Sequence, residues 1–117
     1  MAENIVLVKS FDFALRIVRL YQHLSETKKE FVLSKFVLNS GTLIGARIKT
    51  AQEAENKTIF VQMMNAGLQK ARETEYWLLL LRKGDYLEEK EHESIDSDCQ
   101  ELVALLTTIC NTAKGRQ

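Results

Sequence analysis

A chain of 117 residues with 45% hydrophobic and 27% charged side chains can bury one core of its own, and that balance excludes a disordered or fibrous protein. Its formal net charge is zero, but residues 1–84 carry 13 Lys/Arg against 8 Asp/Glu and residues 85–117 carry 3 against 8, so charge is polarised along the sequence. The longest apolar run, residues 77–81, falls far short of the ~20 residues that span a bilayer.

The absence of proline points to a mostly helical chain, because loops and edge strands are where proline collects. The opening Met1-Ala2-Glu3-Asn4 lacks the basic start of a secretory signal, so a cytoplasmic location is expected. Cys99 and Cys110 would stand about 16 Å apart on one helix, beyond disulfide reach, and read as small core residues in a reducing compartment.

Taken in order, the first predicted helix covers residues 4–24, with Phe13, Ala14, Ile17, Leu20, Tyr21 and Leu24 at intervals of three and four. Residues 25–29 make a polar connection. The second helix, residues 30–53, turns Ser34, Val37, Gly41, Ile44, Ile48 and Ala51 inward. Gly41 and Gly45 lie on or beside that stripe and each costs about 1 kcal/mol of helix propensity, so a neighbouring helix is expected to come close there.

The third helix, residues 57–83, is capped by Asn56 and repeats at four and three through Phe60, Met64, Gly67, Ala71, Thr74, Leu78 and Leu81. Gly67 joins the two earlier glycines as a packing position, and Gly84 is read as the residue just past the helix end. The fourth helix, residues 88–113, opens with glutamates that suit a helix N-terminus and buries Ile95, Cys99, Leu102, Leu106, Ile109 and Ala113. Four helices with short connections predict an all-α, antiparallel up-down-up-down four-helix bundle, one unit over residues 1–117.

One lone bundle does not absorb every apolar residue. Large apolar groups occupy residues 76–81 without a break, pointing all around the helix, and Phe36 and Leu43 lie off the inward stripe of the second helix. Phe36, Leu43, Tyr76, Trp77 and Leu80 are therefore expected at a contact between subunits or with a partner, and a homo-oligomer is predicted.

Chemistry is sparse. Glu89-x-x-His92 has the spacing of a di-iron bundle ligand pair, but the other histidine, His23, has no glutamate three residues before it, and no metal or cofactor is expected. Neither cysteine has a base at a helical neighbour position, and signatures of serine hydrolases, phosphate loops and dinucleotide sites are absent, so no catalytic residue is assigned. Arg47, Lys49, Lys70 and Arg72 flank the glycine turn and are the candidates for contact with RNA or DNA phosphates.

The segments Lys9-Ser10-Phe11-Asp12-Phe13-Ala14, Ser40-Gly41-Thr42-Leu43-Ile44-Gly45-Ala46-Arg47-Ile48 and Ala71-Arg72-Glu73-Thr74-Glu75-Tyr76-Trp77-Leu78, with the closing Leu102-x-x-Leu105-Leu106-Thr107-Thr108-Ile109, resemble the bacterial four-helix-bundle family first described from intervening sequences of 23S ribosomal RNA genes. The resemblance spans essentially the whole chain. It implies an antiparallel four-helix bundle assembled as a ring of five subunits, and kinship with the accessory variability protein of diversity-generating retroelements, a basic pentamer that works with nucleic acid. Where relatives usually carry Asn, Glu and Glu, this chain has Arg47, Thr50 and Lys70, and Leu43 stands where a polar residue is frequent. Two expectations follow: binding of RNA or DNA through the basic residues, or a protein-interaction scaffold working through the apolar and aromatic ones.

Overall fold

Four helices, α1 (Ala2–Glu26), α2 (Leu33–Gln52), α3 (Lys57–Lys83) and α4 (Glu89–Ala113), make up nearly all of the computed structural model, which describes residues 2–115. Met1, Arg116 and Gln117, part of the predicted 1–117 unit, lie outside the described residues. Each helix packs against the two beside it in a closed order, α1 on α2, α2 on α3, α3 on α4 and α4 on α1. The result is an elongated four-helix bundle of 44 × 24 × 19 Å.

Its core is the sum of the inward stripes. Val6, Phe13, Ile17 and Leu24 from α1 meet Val37, Ile44 and Ile48 from α2, Met64, Leu78 and Leu81 from α3, and Cys99, Leu102 and Leu106 from α4. Two of the four seams carry a recognisable lock. On the α1/α2 seam, a Cβ added at Gly41 would stand 2.7 Å from Ile17 Cγ1, and one at Gly45 would stand 3.3 Å from Ser10 Oγ. Between α2 and α3, Gly67 lets the helix pass the Ile44 carbonyl, where an added Cβ would stand 3.5 Å away. Two turns further along α3, the buried Thr74 Oγ1 lies 2.9 Å from Ser40 Oγ and 2.7 Å from the Lys70 carbonyl, fixing register with satisfied polar groups.

The α1/α4 seam is held differently. Arg16 donates to Asp98 Oδ2 at 2.9 Å and to Ser94 Oγ at 2.6 Å, and Lys9 sits 3.1 Å from Glu101. These contacts join the basic part of the chain to the acidic last helix, and Arg82 to Glu89 at 3.3 Å repeats the pairing at the α3/α4 turn.

The start of α2 departs from the sequence reading, whereas α3 ends at Lys83 with Gly84 just past it, as read. The second helix begins at Leu33 rather than residue 30, because Glu30 acts as its cap. The nearly buried Glu30 carboxylate accepts from the N–H groups of Val32 (3.2 Å), Leu33 (3.0 Å) and Ser34 (2.6 Å). The connection correspondingly shifts to residues 27–32: α1 runs on to Glu26, and the chain reverses through Lys29, whose φ is 57°. At the end of α3, Gly84 has an ordinary φ of −85°, and the left-handed residue that terminates the helix is Asp85, φ 69°. An aspartate tolerates that region because its short polar side chain bonds locally. The Asn56 cap is as read, its side chain accepting from Ile59 N–H at 2.9 Å.

Burial pushes the Glu30 carboxyl up, but its backbone N–H bonds outweigh that and hold it below its ordinary value of 4.5. The stability it supplies is therefore complete above about pH 4.5 and is lost as pH falls towards the lowered folded value. Glu30→Gln should flatten the acid limb of a stability-against-pH profile, and Glu30→Ala should cost about 1–2 kcal/mol at neutral pH, as for loss of a helix cap. In urea titrations, Gly41→Ala should cost about 1–3 kcal/mol by overpacking against Ile17, whereas Gly45→Ala, with its looser contact and gain in helix propensity, should stay within about 1 kcal/mol of the parent.

Candidate interaction surfaces

The four candidate cations do not form one patch. A helix turns about 100° per residue, so Arg47 and Lys49 point to opposite flanks of α2, as do Lys70 and Arg72 on α3. Arg47 faces α3, its Cβ 3.7 Å from where a Gly67 Cβ would stand. Lys70 lies on the matching flank of α3, between Gly67 and Thr74, both of which face α2. Thus Arg47 and Lys70 share the α2/α3 seam, and Lys49 and Arg72 lie away from it. Three of the four are paired with an acid three or four residues away: Lys49 with Glu53, just past the end of α2, at 3.7 Å, Lys70 with Glu73 at 3.3 Å and Arg72 with Glu75 at 3.9 Å. Arg47, half-buried, makes no ion pair with any described residue.

The apolar candidates do come together. Phe36 stacks on Trp77 across the α2/α3 seam, ring centroids 5.0 Å apart and planes at 26°, and Tyr76 meets the Trp77 edge at 5.1 Å. Phe36 and Tyr76 remain 47% and 58% exposed, while Leu43, Trp77 and Leu80 are half-buried. Phe31 and Val32, in the connection that precedes α2, are also exposed. Leu78 and Leu81 from the same apolar run are fully buried.

A second apolar surface went unread. On α1, Val8 (61% exposed), Phe11 (63%), Leu15 and Val18 form a line at spacings of three, four and three, with Ile5 beside it. They stand opposite Val6, Phe13 and Ile17, so α1 is apolar on two faces. The signal was present as a second heptad-like stripe interleaved with the first, and the stronger inward stripe masked it.

Nothing in these surfaces assembles a reaction centre. Glu89 reaches Arg82 rather than His92, and among the described residues no group of three or more His, Cys, Asp or Glu is placed to hold a metal. The cleft between α1 and α4, about 520 Å³, is lined by Arg16, Leu20, His23 and Ile95, with Arg16 already committed to Asp98. Burial pushes the Cys99 thiol up to about 12, with Glu75, Asp96 and Asp98 adding to the effect, and its Sγ donates to the Ala71 carbonyl at 3.3 Å. Burial also raises the Cys110 thiol.

The profile of the family described as 23S rRNA-intervening sequence protein matches residues 2–108. The chain belongs to that family. Among solved structures, the 23S rRNA-intervening sequence bundle is similar to the crystal structure of a protein of unknown function from the S23 ribosomal protein family of Bacteroides thetaiotaomicron. The two share 45% identity over 95% of this chain and 99% of that one, with a TM-score of 0.94. No curated protein matches the chain. These likenesses agree with the resemblance read from the sequence segments, and neither indicates a catalytic activity. No helix among the described residues is long and apolar enough to cross a membrane.

Because the thiolate form of Cys99 is so disfavoured, a disulfide exchange reagent at pH 8 should leave it unlabelled in the folded protein and label it at once in denaturant. Labelling of native Cys99 at the rate of a free thiol would show that the α3/α4 seam opens.

Proposed function

We propose that this 23S rRNA-intervening sequence family member is a non-enzymatic, homo-oligomeric cytoplasmic scaffold that contacts its own copies and a protein partner through the outer apolar surfaces of the bundle. The carrying observation is the pair of exposed apolar surfaces, one along α1 and one around Phe36, Tyr76 and Trp77. Contiguous patches of this kind are unusual on a monomer that functions alone and mark protein contacts. Aromatic side chains supply large contact area with few rotors to freeze, which suits Trp77 and Tyr76 as anchors.

The balance between the two sequence expectations shifts with the ion pairs. A surface that binds phosphates by charge needs several free cations converging on one face, since each neutralised phosphate adds to affinity and to salt dependence. Here Lys49, Lys70 and Arg72 already face acids, and Arg47 and Lys49 diverge. The apolar reading requires no such rearrangement.

Light scattering at low and high salt, with and without a pool of structured RNA and single-stranded DNA, tests the proposal. A mass of several subunits, unchanged by salt and by nucleic acid, is the expected result. Mass gained with nucleic acid at low salt, and abolished by Arg47→Glu with Lys70→Glu, would overturn the scaffold reading in favour of phosphate binding.

A further inference from the structure

We infer that the α1/α4 seam is an ionic latch: the bundle opens along it, with the other three seams shut, when the charged pairs that cross it are screened or removed.

Topology singles this seam out. Short connections join α1 to α2, α2 to α3 and α3 to α4, so the chain itself closes each of those seams at one end, whereas α1 and α4 are held to each other by side chains alone. Their packing is also the least extensive of the four. The α1/α2 and α2/α3 seams close on Gly41, Gly45 and Gly67, and across α3/α4 the buried Cys99 Sγ reaches the Ala71 carbonyl at 3.3 Å. Among the described residues, no glycine and no fully buried hydrogen bond draws α1 onto α4.

What crosses the seam is polar and open to water. Arg16 donates to Asp98 and Ser94, Lys9 lies 3.1 Å from Glu101, and the four charged side chains are 36–51% exposed. Pairs in such surroundings hold weakly, and salt weakens them further. Two clefts run beside them, one of about 200 Å³ over Phe13 and one of about 520 Å³ over Leu20, Leu87 and Ile95. Apart from Arg16, the larger cleft has no tie across it. Arg19 and His23 on its α1 wall make no ion pair or hydrogen bond with any described residue, and Glu91 on its α4 wall accepts from the Glu88 N–H at 3.2 Å as part of the α4 cap. Opening therefore needs only to part Phe13 and Leu20 from the Ile95 and Leu102 stripe of α4, leaving α1 packed on α2 and α4 on α3. Local openings of low cost arise where apolar contacts are few and the hydrogen bonds face solvent.

Thiol labelling separates this opening from unfolding of the whole bundle. Leu102 is 1% exposed and stands four residues after Asp98 and seven after Ile95, on the α1 side of α4, whereas Cys99 faces α3. In Leu102→Cys, checked by circular dichroism to keep its helices, an uncharged methanethiosulfonate at pH 8 should label the introduced thiol roughly tenfold or more faster than Cys99, read residue by residue by tandem mass spectrometry. Raising salt from about 0.01 M to about 1 M shortens the screening length from about 30 Å to about 3 Å, and should speed labelling of the introduced thiol roughly three- to tenfold without changing that of Cys99. Lys9→Gln with Arg16→Gln should give the fast rate already at low salt. Ile109→Cys, seven residues further along the same stripe, serves where Leu102→Cys fails the helix check. Equal labelling of the two thiols, or no labelling of the introduced one, would mean that the seam does not open by itself. Fast labelling indifferent to salt and to the loss of Lys9 and Arg16 would mean that it opens without an ionic latch. Either result overturns the inference.

Discussion

The close approach of α1 to α2 at Gly41 governs the rest of the molecule. With no side chain at that position, Ile17 occupies space that a Cβ would contest at 2.7 Å, and the two helices meet nearly backbone to side chain. Gly67 does the same for α3 against α2. Three helices drawn together by small residues enclose a narrow interior, which Ile, Leu, Met and Val side chains fill without exposing polar backbone. Bulky groups in excess of that interior have only outward positions left. The ridge on α1 and the aromatic seam are, in this sense, consequences of tight packing: Trp77 and Phe36 stack over the α2/α3 valley because the Ser40–Thr74 pair and Gly67 already close its floor.

Much of this was legible in the chain because helical periodicity is an averaged signal. A stripe such as Met64, Gly67, Ala71, Thr74, Leu78 and Leu81 repeats often enough that one exceptional residue does not obscure it, and all six are buried. Helix ends rest on single residues and are less secure. Glutamate at position 30 reads as a helix former, and its long side chain folding back to cap α2 depends on burial that the sequence does not display. At the end of α3, Gly84 stands just past the helix as its sequence position indicates, and the backbone takes its left-handed turn one position later, at Asp85.

The interaction surfaces were half legible for a related reason. Six consecutive apolar positions cannot share one face, so the surplus around Tyr76 and Trp77 was visible by counting. On α1 the outer stripe has the same spacing as the inner one, and two interleaved stripes of similar strength look like one broad hydrophobic helix until burial separates them. The basic residues show the opposite failure. Proximity in sequence suggested a cluster, whereas residues two apart on a helix diverge, and the glutamates three or four positions away had the shorter path to those cations.

Polarised charge then acquires a geometric meaning. Lys9 and Arg16 on α1 and Arg82 at the end of α3 meet Glu101, Asp98 and Glu89 of α4, so three acids of the last quarter of the sequence are paired within the bundle. The outer positions of α4, namely Lys90, Glu93, Ser97, Glu101, Ala104 and Thr108, are all exposed and carry no large apolar group. That helix presents a solvated back, while α1 and the α2/α3 seam present the apolar fronts. Exposed ion pairs contribute little to stability, so the effect of this arrangement lies in placement: among the described residues the large exposed apolar groups gather on α1 and around the α2/α3 seam, and none lies on α4.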